Sequence, residues 1–214
     1  MSRYTILLGG ELVRTPALDR QIAGTRIVAA DSGIRHAEAL GIVPELWVGD
    51  FDSAPPVLPE RLKAVPKRKF PSDKDSTDGE LAVDVALEQG ATALVLAGAF
   101  GGARADHAFL HLALALRLAE AGVDVLLTSG AQEGRPLPHA AVTFDYAEGT
   151  LFSILGFSEL SGLTVRGAKW ELASVTVPFG SSLTMSNEVR GTLGVELAQG
   201  RAMLLAHPLA GKEG

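Results

Sequence analysis

Of the nine aspartates in the first half of this 214-residue chain, seven form an unusual set: Asp31, Asp50, Asp52, Asp73, Asp75, Asp78 and Asp106. Most stand just beyond short apolar runs. Carboxylates drawn together repel one another, so a cluster of them calls for a cation. The chain has no cysteine. Hard oxygen ligands without thiolates favour Mg²⁺, which in such sites also carries substrate phosphates. Asp50 and Asp52 stand on alternate residues. In extended chain they point the same way and can share one metal, with Phe51 turned into the core. The loop Gly98-Ala99-Phe100-Gly101-Gly102 precedes a helical pattern. Its glycines let a phosphate approach the backbone, and the helix N-terminus offers unpaired N–H groups. Arg104 adds a forked cation for phosphate. These residues point to a Mg²⁺-dependent enzyme of phosphorylated compounds, nucleotides foremost.

Other chemistries are set aside. Without cysteine there is no disulfide framework, thiolate zinc site or cysteine nucleophile. No Gly-x4-Gly-Lys-Ser/Thr loop and no Gly-x-Ser-x-Gly elbow is present. His107 and His111 share a helix face, but no Glu follows His107 as a metalloprotease motif requires, so a structural histidine is read here rather than a zinc site. Net charge is −6, from 19 basic and 25 acidic residues. An acidic chain without a basic stripe does not suit nucleic acid. Arg61–Lys69 is the one basic run, read as a solvated connection. No apolar run reaches the 18 residues of a membrane span, and the N-terminus reads as a buried strand rather than a signal peptide. A cytoplasmic location fits this pattern.

Elements must place these residues together. Apolar runs at Tyr4–Leu8, Arg26–Ala30, Leu46–Gly49, Ala93–Ala97 and Val123–Thr128 predict buried strands, with a further short one near Lys69. Helices are predicted at 33–41, 76–89 and 104–121, with Ser76-Thr77 heading the second and Gly90 and Gly122 at C-cap positions. Strands alternating with helices predict an α/β domain whose sheet is mostly parallel. Ligands of such sheets bind beyond the carboxyl ends of the strands, where Asp31, Asp50-Phe51-Asp52, the segment 73–78 and the glycine loop all fall. After a Gly/Pro-rich linker at 130–138 the pattern becomes short and alternating, at 141–146, 150–155, 162–166, 172–179, 191–198 and 201–206. It predicts a small C-terminal β-sandwich. Two domains are expected, 1–135 and 136–214.

In order along the chain, these blocks resemble those of the thiamine pyrophosphokinase family. They are Asp31-Ser32-Gly33 with His36 to Pro44, Gly49-Asp50-Phe51-Asp52-Ser53, Asp73-Lys74-Asp75-Ser76-Thr77-Asp78, the glycine loop through Arg104, Asp106 and His107, then Gly167 to Leu172, and Ser186-Asn187-Glu188. The resemblance implies an N-terminal α/β domain, a C-terminal β-sandwich, a homodimer with thiamine bound between subunits, and transfer of pyrophosphate from ATP to thiamine with release of AMP. It implies Mg²⁺ on Asp50, Asp52 and Asp78 with Asp31 close by. Lys74 would act on phosphate oxygens. The nucleotide would meet Asp31, Ser32, Gly33, Asp75, Thr77, Gly101, Gly102, Arg104, Asp106 and His107. Trp170, Ser186 and Asn187 would meet thiamine, a cation suited to an aromatic face. Asp52 or Asp78 would orient or deprotonate the hydroxyl. Two departures stand out: Ser32 replaces a glycine of the first block, and Ala103 is an extra residue before Arg104. Three rival readings remain: a pyrophosphokinase for another hydroxymethyl acceptor such as a pterin, a phosphatase using Asp50 as nucleophile, and a nucleotide-sensing module.

Overall fold

The computed structural model describes residues 2–71 and 75–209. The chain divides into two compact units, Met1–Gly130 and Ala131–Gly214. Together they make a mixed α/β fold, parallel in the first unit and antiparallel in the second.

The first unit runs β1 (Arg3–Leu7), α1 (Pro16–Ile22), β2 (Arg26–Ala30), a 3-10 turn (Asp31–Arg35), α2 (His36–Leu40), β3 (Leu46–Gly49), α3 (Glu60–Lys63), β4 (Lys67–Lys69), α4 (Asp78–Glu88), β5 (Ala93–Ala97), α5 (Ala105–Glu120) and β6 (Asp124–Thr128). Its strands lie in the order β6-β5-β1-β2-β3-β4, every pair parallel. All strand C-termini therefore reach one edge. The central strand β5 is buried along its whole length, as a sheet covered on both faces requires. Leu7, Ala29, Trp47, Val95 and Leu126 share a core with Leu18 of α1 and Leu62 of α3.

Two of these helices were not expected from sequence. Thr15 caps α1, accepting a hydrogen bond from the Leu18 N–H at 3.1 Å, with Pro16 at the first helical position. The α3 helix is a single turn led by Pro59. The helix expected over 33–41 is a 3-10 turn followed by one α-turn, closed by Gly41 in the left-handed conformation.

The second unit is antiparallel: β7 (Glu133–Pro136), β8 (Ala141–Phe144), β9 (Leu151–Gly156), β10 (Leu160–Ala168), β11 (Leu172–Val177), β12 (Asn187–Glu196) and β13 (Ala202–His207). The order is β11-β10-β12-β9-β13-β7, with β8 also on β12. β12 works in two halves: Asn187 and Glu188 pair with β9, while its later residues pair with β8 and β10. Phe152, Ile154, Leu163, Val195 and Leu204 fill the core between these strands. The linker expected at 130–138 is corrected in part. β7 lies inside it, paired with β13 from Pro136↔Met203 to Glu133↔Ala206.

Candidate active site

The edge at the strand C-termini of the first unit gathers the chemistry. Asp31 follows β2, Asp50 follows β3, and Asp78 opens α4. One carboxylate oxygen from each of the three lies within 4.8 Å of the other two. The approach depends on Gly49. Its φ is +155°, and a Cβ there would meet Asp31 Cβ at 3.1 Å and Oδ1 at 3.4 Å. Asp78 is set by a capping box: Thr77 Oγ1 accepts the Glu80 N–H at 3.3 Å, and the Glu80 carboxylate accepts the Thr77 N–H at 3.2 Å.

Asp31 is the unusual member. It is 7% exposed, and its Oδ1 has no hydrogen-bond partner. Its φ of 40° lies in the left-handed region, which costs a non-glycine residue about 1–3 kcal/mol. Burial raises its pKa, the Ser32 backbone hydrogen bond opposes this, and the charges of Asp78, Asp52 and Asp50 add to the rise. A buried unpaired oxygen beside two further carboxylates is the donor set of a hard divalent cation such as Mg²⁺.

Asp52 lies outside this cluster. The extended geometry that would align it with Asp50 does not hold, because β3 ends at Gly49 and Phe51 has φ 69°. The Asp52 N–H instead donates to Asp50 Oδ1 at 3.1 Å, and Asp52 Oδ1 accepts the Ser53 hydroxyl at 3.0 Å. Phe51 does pack inward, edge-on to Trp47 with ring centroids 4.8 Å apart.

The loop after β5 sits on the same edge. Gly101 and Gly102 both have positive φ. The Gly102 N–H points to Glu11 Oε1 at 3.4 Å, and a Cβ on Gly101 would strike the Glu11 carboxylate at 2.8 Å. The segment Gly9–Glu11 pairs with this loop: the Gly10 N–H donates to Gly98 O at 2.9 Å and the Glu11 N–H to Phe100 O at 2.8 Å. Arg35 donates to the Gly9 and Gly10 carbonyls, and His36 Nε2 donates to Gly10 O at 3.0 Å. The sequence reading missed this second loop, although Gly9-Gly10 directly after a buried strand was the available signal.

Ser32 and Gly33 stand in the turn below it. Ser32 Oγ would lie 2.6 Å from a Cβ on Gly9, so serine here matches glycine there. Gly33 is buried under Leu7, whose carbonyl leaves no room for a side chain. Arg104 and Asp106 form an exposed two-pronged pair, Nε–Oδ1 3.0 Å and Nη2–Oδ2 2.7 Å. The Arg104 hydrogen bonds hold the Asp106 carboxyl far below the ordinary range. Beside α5's exposed N-terminus His107 lies 6.5 Å, ring to ring, from His111. His111 is structural: Nδ1–H donates to Ala99 O at 3.0 Å, and burial lowers its pKa. Asp75 is exposed ahead of Thr77. Lys74 and Asp73 lie outside the described residues. The basic run is tied to the fold, Arg61 to Glu38 O, Lys63 to Glu60 and Arg68 to Glu88.

The thiamine-side residues belong to the second unit. Trp170 follows β10 with its ring 55% exposed and Lys169 Nζ 4.6 Å above it. Asn187 is buried and its amide is taken up by backbone. Oδ1 accepts the Trp170 N–H at 3.1 Å and the Glu188 N–H at 2.9 Å, and Nδ2 donates to Trp170 O at 2.8 Å. Asn187 thus grips the Trp170 turn. Ser186 is exposed with φ 57°, its N–H donating to Ser153 Oγ at 2.9 Å. Phe179, Leu183 and Met185, between β11 and β12, are exposed large apolar residues.

Known proteins match in both units. A family model described as "Thiamin pyrophosphokinase, catalytic domain" covers residues 22–127, and one described as "Thiamin pyrophosphokinase, vitamin B1 binding domain" covers residues 141–202. A thiamine pyrophosphokinase of Bacillus subtilis is 31% identical over 172 residues, spanning 77% of this chain and 80% of that one. Among solved structures, thiamine pyrophosphokinase from Bacillus subtilis superposes with TM-score 0.81 at 24% identity, covering 97% of this chain and all of that one. The enzyme from Candida albicans superposes with TM-score 0.80 at 14% identity, covering 97% and 89%.

Proposed function

The chain belongs to the thiamin pyrophosphokinase family, and on that premise we propose how its residues carry out transfer of pyrophosphate from ATP to thiamine. The observation that carries the reading is the triad Asp31, Asp50 and Asp78, with its buried, unpartnered Asp31 oxygen on the carboxyl edge of the sheet. Mg²⁺ held there would neutralise charge on the transferring phosphates.

The protein's own residues supply position. Gly101, Gly102 and the N-terminal turn of α5 offer backbone N–H groups to phosphate oxygens. The Glu11 carboxylate now beside the Gly102 N–H gives way to them. Asp106 keeps Arg104 aimed by two hydrogen bonds, and His107 and Asp75 flank the nucleotide. Ser32 and Gly33 shape the turn that presents Asp31, and Thr77 fixes Asp78. Lys74 neutralises phosphate oxygens. Asp52, outside the triad, orients the thiamine hydroxyl and accepts its proton.

In the second unit, read as a β-sandwich, the exposed Trp170 face takes the cationic thiamine, with the Ser186 hydroxyl at its rim. Asn187 serves by holding Trp170. A cytoplasmic homodimer completes the reading. The family likeness supports it, as do the exposed apolar side chains of 179–185. Among the described residues no helix is long and apolar enough to cross a membrane.

One reaction tests the proposal: protein, thiamine, ATP and Mg²⁺, with products separated by chromatography. AMP and thiamine diphosphate in equal amounts are expected. ADP with thiamine monophosphate would overturn the pyrophosphoryl step. AMP formed only with a hydroxymethyl-pterin would overturn the acceptor. A trapped phosphoenzyme on Asp50 would replace the whole scheme with a phosphatase.

A further inference from the structure

Trp47 is the largest fully buried side chain among the described residues, and it reaches the ends of β2 and β3 that carry Asp31 and Asp50. Its Nε1–H donates to the Asp31 backbone carbonyl at 2.8 Å, a buried hydrogen bond. Its ring takes the edge of Phe51, the residue between Asp50 and Asp52. Among the described residues four non-glycine residues have positive φ, Asp31, Phe51, Ser174 and Ser186. The two at the carboxylate cluster, Asp31 itself and Phe51 next to Asp50, are the two that Trp47 touches. Lys67, paired with Trp47 across β3 and β4, closes the stack with Nζ 4.6 Å from the Trp47 ring and 5.3 Å from the Phe51 ring.

We propose that Trp47 is a positioning residue that holds Asp31 and Asp50 in their cation-binding arrangement before the cation arrives. Three like charges at close range push apart, and left-handed backbone at the aromatic Phe51 is disfavoured by its own sterics. The brace must hold the backbone on both sides while leaving the carboxylates open to the cation. An indole meets that need. Its one N–H fixes the Asp31 peptide, and its apolar surface fixes Phe51. A phenylalanine would keep an aromatic ring in this core but donate nothing to Asp31, so apolar packing alone does not account for the N–H donor. The inference rests on the reading that Asp31, Asp50 and Asp78 hold a divalent cation.

The test is Mn²⁺ affinity of the full-length protein, measured by electron paramagnetic resonance of free Mn²⁺, without nucleotide or turnover. Four proteins are compared: wild type, D31N, W47F and L94A. L94A truncates a buried side chain on β5, separated from β3 by two strands in the sheet order. W47F keeps an aromatic ring and removes the donor, and loss of one buried hydrogen bond to the Asp31 peptide should weaken Mn²⁺ binding about fivefold to tenfold. L94A should lose thermal stability and bind Mn²⁺ as wild type does. If W47F binds as tightly as wild type while D31N does not, the inference about Trp47 is overturned and the cation site stands. If D31N also binds as wild type, the cation site itself falls. If L94A weakens Mn²⁺ binding as much as W47F, Trp47 acts through general stability and the inference fails. Should W47F not fold, 3-benzothienylalanine replaces it in a W170F background. That isostere keeps the indole shape and lacks the N–H, and affinity equal to the W170F parent would overturn the inference.

Discussion

The triad of the first unit and the Trp170 turn of the second solve opposite problems. Each has a left-handed non-glycine residue at its heart, Asp31 in one and Ser186 in the other. Around Ser186 the polar groups are met locally: its own N–H reaches Ser153, and the next side chain, Asn187, makes three hydrogen bonds to backbone. Around Asp31 a buried oxygen is left unpaired among like charges. The second region is complete as it stands and offers an aromatic face. On the proposed function the first is complete only with a cation and anionic substrate. A platform for an organic cation can be built rigid and neutral, whereas a site for polyphosphate must carry unbalanced charge until it is filled.

The sharpest way to break this contrast is through the triad. Asp50→Asn should cut turnover about a thousandfold, the scale of losing a principal charge-stabilising group, while thiamine binding by calorimetry stays intact. Asp31→Asn should do the same to turnover and raise the melting temperature of the metal-free protein, because it relieves like-charge repulsion. A fall in melting temperature would mean that the triad is not under strain. Asn187→Ala should cost about 2–3 kcal/mol by urea unfolding, since it leaves backbone groups of the Trp170 turn unpaired. It should also raise KM for thiamine without moving KM for ATP. Trp170→Ala should raise KM for thiamine about tenfold, the upper range of a cation–π contact, with little effect on stability because the ring is exposed.

The smallest effect is a pH asymmetry. His36 and His111 of the first unit are held neutral, chiefly by burial, with pKa lowered from 6.5. Their contribution is present above pH 6.5 and is lost as the pH falls below it. Tyr146 of the second unit, buried against Glu133, has its pKa raised from 10.0. Its contribution is present below pH 10 and is lost as the pH rises. Hydrogen exchange should therefore show β5 loosening first in mild acid and β7, which carries Glu133, first in alkali. The reverse order would sink the assignment.

Much of this was legible in the sequence, and what was not has a physical reason. Ala93–Ala97 could only be a buried strand, and Thr77 with Glu80 spelled a capping box. The aspartates were legible as a carboxylate cluster at the strand ends, but which three converge was not. The grouping turns on left-handed backbone at Asp31 and at the aromatic Phe51, which the letters do not announce, so nothing in them separates Asp31 from Asp52. The letter Asn187 could not show its partners, because these are set by the fold: the Trp170 peptide and the Glu188 N–H. β7 escaped notice because Glu133–Pro136 has no apolar alternation and owes its strand geometry to pairing with β13. Thr15-Pro16 did carry the start of α1, in a segment too short for periodicity to confirm.

The chain contains two tryptophans, one in each unit. Trp47 is sealed at 1% exposure and Trp170 is open at 55%. The protein is thereby its own pair of optical probes. Emission from Trp47 should lie to the blue, resist added quenchers and report on filling of the carboxylate edge. Emission from Trp170 should lie to the red and be extinguished when a thiamine ring stacks on it. Titrating each substrate while watching both ends of the spectrum would resolve the order in which the two are taken up, with no label attached.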